Sequence, residues 1–341
     1  MANQAAQQPV IGVDLGGTKI LAAVVDGQSR ILGRAKKKTK AERGPLDVLA
    51  RMSLTIQEAI ESSGVSFKEV AAIGVGSPGP LDPRTGVVVV APNLGWKNVN
   101  VKATLEGEFH LPAFIENDVN VGTLAEHRLG AGQGVSSLVG IFVGTGIGGG
   151  IILDGRLYRG MNCTAGEIGH MVIQEGGPLC SCGRQGCLEA LASRTAIGRM
   201  IQEEIQKGKK SAITSLVKNV NGQIKSRALA AALSEEDKVV TGALKKSAYY
   251  LGVAVAGLIN FLNPEMIVLG GGVVEANEDF YLAEVQKTAV DFAFPQASQG
   301  VRIVPARLGD DAGVLGAALV ARMNLDEQTA EMLPRAAQLV E

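Results

Sequence analysis

The chain has 341 residues, with 33 Lys or Arg against 34 Asp or Glu, a balance that excludes a generally basic nucleic-acid surface. Hydrophobic residues make up 46%, which excludes a disordered chain, and the length suggests two domains or lobes. Glycine is the outlier at 44 residues, gathered in GVDLGGTK, GVGSPGP, VGTGIGGG and VLGGG, each beside a Val/Ile run, as strand-end turns require.

The opening MANQAAQQPV has no basic region followed by an apolar one, so it does not read as a signal peptide. No apolar stretch reaches ~18 residues, and the longest, 251–262, carries Asn260, so no membrane span is expected. A cytoplasmic protein with reduced thiols is the expectation.

In chain order, residues 10–13, 21–25 and 31–37 read as short strands, joined by LGGTK and by a DGQS turn. A helical pattern follows Pro45 through Val48, Leu49, Met52, Ile56 and Ile60. A buried strand at 70–75 enters the loop GSPGP, and a helix at 101–109, a strand at 113–115 and a helix from Asp118 complete a first α/β lobe, residues 9–119. A strand at 138–143 then opens a second series with the same grammar: a glycine turn, a strand at 151–153 and an Asp154-Gly155 turn. IGVDLGGTKILAAVVDG set beside IFVGTGIGGGIILDG suggests two related lobes, the larger covering 120–310. Residues 195–240, with a GKK run, read as a surface helical insertion. A long apolar helix at 241–263 ends at Asn263-Pro264, a buried strand at 266–269 enters Gly270–272, and an amphipathic helix at 308–322 closes the pattern.

Two stretches match G-x-G-x-x-G, Gly74-Gly76-Gly79 and Gly144-Gly146-Gly149, but neither is followed by the helix a dinucleotide site needs. A Walker A motif is absent. What remains is a glycine turn between two antiparallel strands, found twice. Such a tip exposes backbone N–H groups to phosphate oxygens. Asp14 ends the first strand, where a carboxylate can hold Mg²⁺ through water, and Thr18 and Lys19 add a hydroxyl and a cation. One such hairpin could be ordinary structure; two copies plus VLGGG weigh against that.

DLGGTK (14–19), VGTGIGGG (143–150) and VLGGG (268–272) resemble the phosphate-1, phosphate-2 and adenosine segments of the actin/Hsp70/hexokinase-like ATPase fold, an α/β fold of duplicated ribonuclease-H-like lobes. EIGHMVIQEGGPLCSCGRQGCLE (167–189), IENDVN and LGDDAGVLGAA resemble the ROK family of bacterial sugar kinases and repressors, over roughly residues 10–322. The resemblance implies ATP contacts at Gly16, Gly17, Thr18, Lys19, Gly144, Thr145, Gly146, Gly148 and Gly270, Gly271 and Gly272. It implies hexose contacts at Gly79, Asn93, Asn117, Asp118, Glu167, His170 and Glu189, two lobes closing over a cleft, the 311–322 helix packed back on the first lobe, and a homodimer or homotetramer.

His170, Cys180, Cys182 and Cys187 supply one imidazole and three thiolates, a closed set for a structural Zn²⁺. The loop has no apolar run to order it, so metal and order should go together, and zinc loss should harm sugar affinity before nucleotide affinity. Cys163 lies outside the set and is expected to pack as a small core residue. Asp118, at a strand-to-helix junction, could be a helix cap; the resemblance makes it the base that accepts the sugar hydroxyl's proton. Among family functions, an ATP-dependent hexose kinase acting at the 6-hydroxyl, glucose first, is expected. N-acetylmannosamine, fructose or allose as substrate and polyphosphate as donor stay open. Only nine residues precede the first strand, where the family's repressors carry a DNA-binding module, so a repressor is a remote alternative, and intact Asp118 and both phosphate loops weigh against a non-catalytic sensor.

Overall fold

The structure is a computed structural model and describes residues 7–217 and 224–332. The chain divides into two units. One comprises the chain through Ala125, the segment Arg159–Thr164 and the chain from Asp310 onward; the other comprises Glu126–Tyr158 and Ala165–Gly309. The first division falls inside the helix Asp118–Leu129 rather than before it, and the Arg159–Thr164 segment is one that sequence gave no reason to separate.

In the first unit β1 (Val10–Leu15), β2 (Lys19–Val25), β3 (Ile31–Lys38), β4 (Ile73–Ser77) and β8 (Ala113–Asn117) form a sheet of order β3-β2-β1-β4-β8, a small sheet of β5 (Leu81–Asp82), β6 (Val87–Ala91) and β7 (Trp96–Asn100) standing apart from it. β1 runs antiparallel to β2 and parallel to β4. In the second unit β9 (Leu138–Val143), β10 (Ile147–Leu153), β11 (Arg156–Leu157), β12 (Met266–Gly270) and β13 (Arg302–Pro305) repeat this plan as β11-β10-β9-β12-β13, again with a hairpin followed by parallel partners. The two short sequence runs are thus the start of one topology used twice. Central β1, β4 and β12 are nearly continuous apolar runs because both faces are covered, whereas β3 alternates half-buried with exposed residues and carries its lysines on an edge.

Helix Pro45–Ser63 starts on Pro45, turns Val48, Leu49, Met52, Ile56 and Ala59 inward, and stops at Gly64 with φ 68°. The final helix, Ala312–Met332, is longer than expected and packs directly on β1 and β4. Glycine permits that approach: a Cβ on Gly12 would lie 1.9 Å from the Val314 carbonyl oxygen, and one on Gly74 1.9 Å from that of Ala317. The first glycine of the 74–79 run therefore serves packing. Gly76 and Gly79 likewise face Val121 and the Val90 carbonyl.

The second unit's core is built on helix Lys238–Leu262, capped by Asp237, whose carboxylate accepts the Val239 and Val240 N–H groups at 2.9 Å each. Residues 195–240 are not a surface insertion. Ile197, Ile201, Ile213, Ile224, Leu229 and Ala232 are buried in this core, because each of these short helices has an apolar stripe under its charged face. Residues 218–223 of that stretch lie outside the described ones. Cys163 is not a core residue either: it is half-buried at φ 60°, in the Arg159–Thr164 segment.

Candidate active site and metal centre

In the first unit the β1–β2 hairpin pairs Leu15 with Ile20, leaving Gly16, Gly17, Thr18 and Lys19 at its tip. The tip is fixed from the end of β3: the Thr39 hydroxyl donates to the Gly16 carbonyl at 2.6 Å and the Thr39 N–H to that of Thr18 at 3.0 Å. Lys19 Nζ reaches Asp310 at 2.7 Å, and Asn93 lies against Gly17, within 3.4 Å of where a Cβ would stand. Asp14 sits beside Gly313 in the first turn of the final helix; burial raises its carboxyl above the usual range, opposed by Lys19 and reinforced by Asp310. As a carboxylate oxygen donor beside the glycine tip, Asp14 is of the ligand type that Mg²⁺ takes.

β8 delivers Asn117 and the following helix begins at Asp118. The cap of that helix is Asn117, not Asp118: its Oδ1 accepts the N–H groups of Val119 at 2.9 Å and Asn120 at 3.2 Å. Asp118 Oδ1 also accepts the Val119 N–H, at 2.9 Å. Gly79, at φ 88°, turns the chain out of the 76–80 loop in the same unit.

In the second unit β9 and β10 pair Val143 with Ile147, so Gly144, Thr145 and Gly146 form the second tip, with Gly148 opposite Phe142. Two residues that sequence did not single out hold it. Arg194 donates from Nη2 to the Thr145 hydroxyl at 2.6 Å and from its N–H to the Gly144 carbonyl at 3.0 Å, and the Thr195 hydroxyl donates to the Thr145 carbonyl at 2.8 Å. Their only signal was their place at the start of helix Arg194–Gln206. Gly270 ends β12 beside this turn, Gly271 follows it and Gly272 opens the helix Gly272–Ala276; a Cβ on Gly271, at φ 85°, would fall 2.7 Å from the Val143 backbone.

The segment after β11 gathers His170, Cys180, Cys182 and Cys187, with all four ligand atoms within 4.8 Å of one another. Cys180 Sγ lies 3.7 Å from His170 Nδ1, and Cys182 Sγ 3.7 Å from Cys187 Sγ. Tetrahedral Zn²⁺ with ~2.3 Å bonds to sulfur separates two thiolates by about 3.8 Å, so the donor set and its spacing fit zinc. The Arg184 N–H holds the Cys182 thiol below its ordinary range, whereas burial pushes Cys187 up to about 12. The other imidazole nitrogen, Nε2, stands 3.9 Å from Glu167, which brings those two sugar candidates together. Glu189 joins this group to the second glycine tip. Its Oε2 accepts the Ile147 N–H at 3.0 Å and its Oε1 the Ser181 hydroxyl at 3.2 Å.

The ROK family matches residues 10–324 of the chain. A glucokinase of Halalkalibacterium halodurans is 36% identical over 90% of this chain and 92% of its own length. A putative xylose repressor of Caldicellulosiruptor is 31% identical over 90% of this chain and 76% of its own. The crystal structure of a ROK-family glucokinase from Streptomyces griseus with glucose and AMPPNP superposes with a TM-score of 0.82 at 33% identity, covering 92% of this chain and 99% of that one. With motifs, topology and relatives in agreement, the chain belongs to the ROK family and has the α/β, two-lobed actin/Hsp70/hexokinase-like ATPase fold.

Proposed function

We propose that the protein is a hexokinase-type phosphotransferase that moves the γ-phosphoryl group of ATP to the 6-hydroxyl of a hexose, glucose first. The observation that carries this reading is the position of Asp118: it opens the helix directly after β8, one residue beyond the Asn117 that caps it. Asp118 is assigned to align the sugar hydroxyl and to take its proton as the new O–P bond forms and the bond to the β-phosphate oxygen breaks, giving hexose phosphate and ADP. Such a carboxylate is a weak base, so most of the acceleration comes from positioning and from dipoles around the phosphates.

The N–H groups at residues 16–19 and 144–146 are assigned to the phosphates, with Gly148 and Gly270, Gly271 and Gly272 completing the nucleotide contacts. Asp14 is the residue that would hold Mg²⁺, which supplies charge neutralisation at the phosphates when bound. By the family resemblance, Asn117, Asp118, Gly79 and Asn93, and separately Glu167, His170 and Glu189, are proposed as hexose contacts. The Cys₃His set is assigned to one structural zinc, since four protein donors leave no open position for chemistry. Glucokinase relatives covered over nearly their whole length, one of them solved with glucose and AMPPNP, support the choice of sugar and donor.

The test is a coupled assay of glucose, N-acetylmannosamine, fructose and allose against ATP and polyphosphate. Turnover highest with glucose and ATP is expected. Sugar binding without turnover of any pair would replace the kinase by a sensor, the reading that the repressor relatives favour.

A further inference from the structure

Glu116 is the residue before the Asn117–Asp118 corner and is 2% exposed. Both of its oxygens are engaged. Oε1 accepts the Asn117 N–H and the Asn120 side-chain amide, each at 3.0 Å, and Oε2 accepts Arg159 Nε at 2.6 Å. Asn120 Oδ1 is buried with no partner among the described residues, so the bond to Glu116 is what orients that side chain. Arg159 opens the Arg159–Thr164 segment, which belongs to the first unit although the chain on either side of it belongs to the second. A carboxylate buried so completely demands a fixed positive partner.

We infer that Arg159 and Glu116 are positioning residues for the catalytic corner: Arg159 fixes Glu116, and Glu116 fixes the peptide entering Asn117, the residue before Asp118, and the Asn120 side chain one position beyond Val119. One carboxylate, itself held by one guanidinium, thereby bonds the backbone one residue before Asp118 and a side chain two residues after it. Neither residue is assigned to substrate. Their effect reaches the reaction through the aim of the Asp118 carboxylate, where a displacement of about 1 Å can cost on the order of 100-fold in rate. The inference rests on the reading of Asp118 as the base.

The experiment is steady-state kinetics with glucose and ATP, alongside thermal melting, on Arg159→Met, Arg159→Lys, Glu116→Gln and the double variant Glu116→Gln/Arg159→Met. Arg159→Met is expected to lower kcat roughly 10- to 100-fold with the KM for ATP within twofold of wild type, in protein that is folded at the assay temperature. Arg159→Lys, which keeps the charge without the planar fork, is expected to fall between the two. The double variant is expected to lose no more than the worse single one, since both act on one link. Wild-type kcat in Arg159→Met, or a kcat loss matched by an equal rise in the KM for ATP, overturns the inference. Should Arg159→Met not fold, wild-type kcat in both Arg159→Lys and Glu116→Gln overturns it equally. Asp118→Ala separates the two levels: if it keeps its turnover, the base reading fails, whereas an inactive Asp118→Ala beside a fully active Arg159→Met removes the positioning role alone.

Discussion

Glu189 accepts the backbone N–H of Ile147 at 3.0 Å, from a side chain whose other oxygen holds Ser181, between Cys180 and Cys182. A Cβ on Gly146 would stand 2.3 Å from the same Glu189 oxygen, so the glycine is what lets the carboxylate close on the turn. The sequence-based expectation separated the metal loop from the nucleotide turns. This bond joins them, so a disturbance of the loop reaches the 144–146 turn directly.

Metal analysis of the purified protein is expected to give about one zinc per chain, with chelation lowering the melting temperature. Cys182→Ser is expected to raise the KM for glucose roughly tenfold or more, and to raise the KM for ATP as well, through Glu189 and Ile147. Active protein without zinc, or unchanged Michaelis constants in Cys182→Ser, would contradict the assignment.

Asp118→Ala is expected to lose nearly all turnover while melting within a few degrees of wild type, because Asn117 keeps the cap. A variant retaining more than about a tenth of kcat, a barrier change below ~1.4 kcal/mol, would show that the carboxylate is not the base.

Gly12→Ala and Gly74→Ala test the contact of the final helix with β1 and β4. Each new methyl group would meet a helix carbonyl oxygen at 1.9 Å, so the sheet or the helix must move. The expected cost is about 1–3 kcal/mol, read as a lower melting temperature. The protein that stays folded is expected to keep its KM for ATP, in contrast to a substitution at Gly146.

Asp237 provides a test in pH. Burial alone would raise its carboxyl, but bonds from the Val240 N–H, the Ser211 hydroxyl and the Ala212 and Val239 N–H groups outweigh burial and hold it below the ordinary value of 3.8. A carboxyl depressed in the folded state binds its proton more readily when unfolded. Its contribution is therefore present above about pH 4 and is lost as the pH falls through the folded value. Asp237→Asn is expected to lower stability near neutrality by about 1 kcal/mol and to flatten the loss of melting temperature below pH 4. A parallel acid profile in the two proteins would assign that loss to other groups.

The strands around both glycine tips, the helix after Pro45 and the Cys₃His set were legible because each rests on local signals: an apolar run, a turn residue, a ligand spacing. Residues 195–240 were misread because the charges are conspicuous in sequence while the buried stripe of Ile197, Ile201 and Leu229 is sparse and split over several short helices. Capping by Asp118 stayed open in the sequence, since Asn117 and Asp118 are equally good capping residues and only the backbone path decides between them, in favour of Asn117.

The sequence by itself determined the repeat of the hairpin, the family and the Cys₃His set, because turn preference, motif identity and ligand spacing are properties of neighbouring residues, while the strands Val87–Ala91, Trp96–Asn100 and Arg302–Pro305 and the helix Glu278–Phe292 escaped it. Only the tertiary structure decided which polar groups are partners: Glu116 with Arg159 across 43 residues, Thr145 with Arg194 across 49, and Lys19 with Asp310 across 291. Such pairs leave no periodic trace. They are selected by where packing of the sheets and helices brings the backbone, and a buried charge or a glycine tip then takes the donor or acceptor that the fold has set within reach.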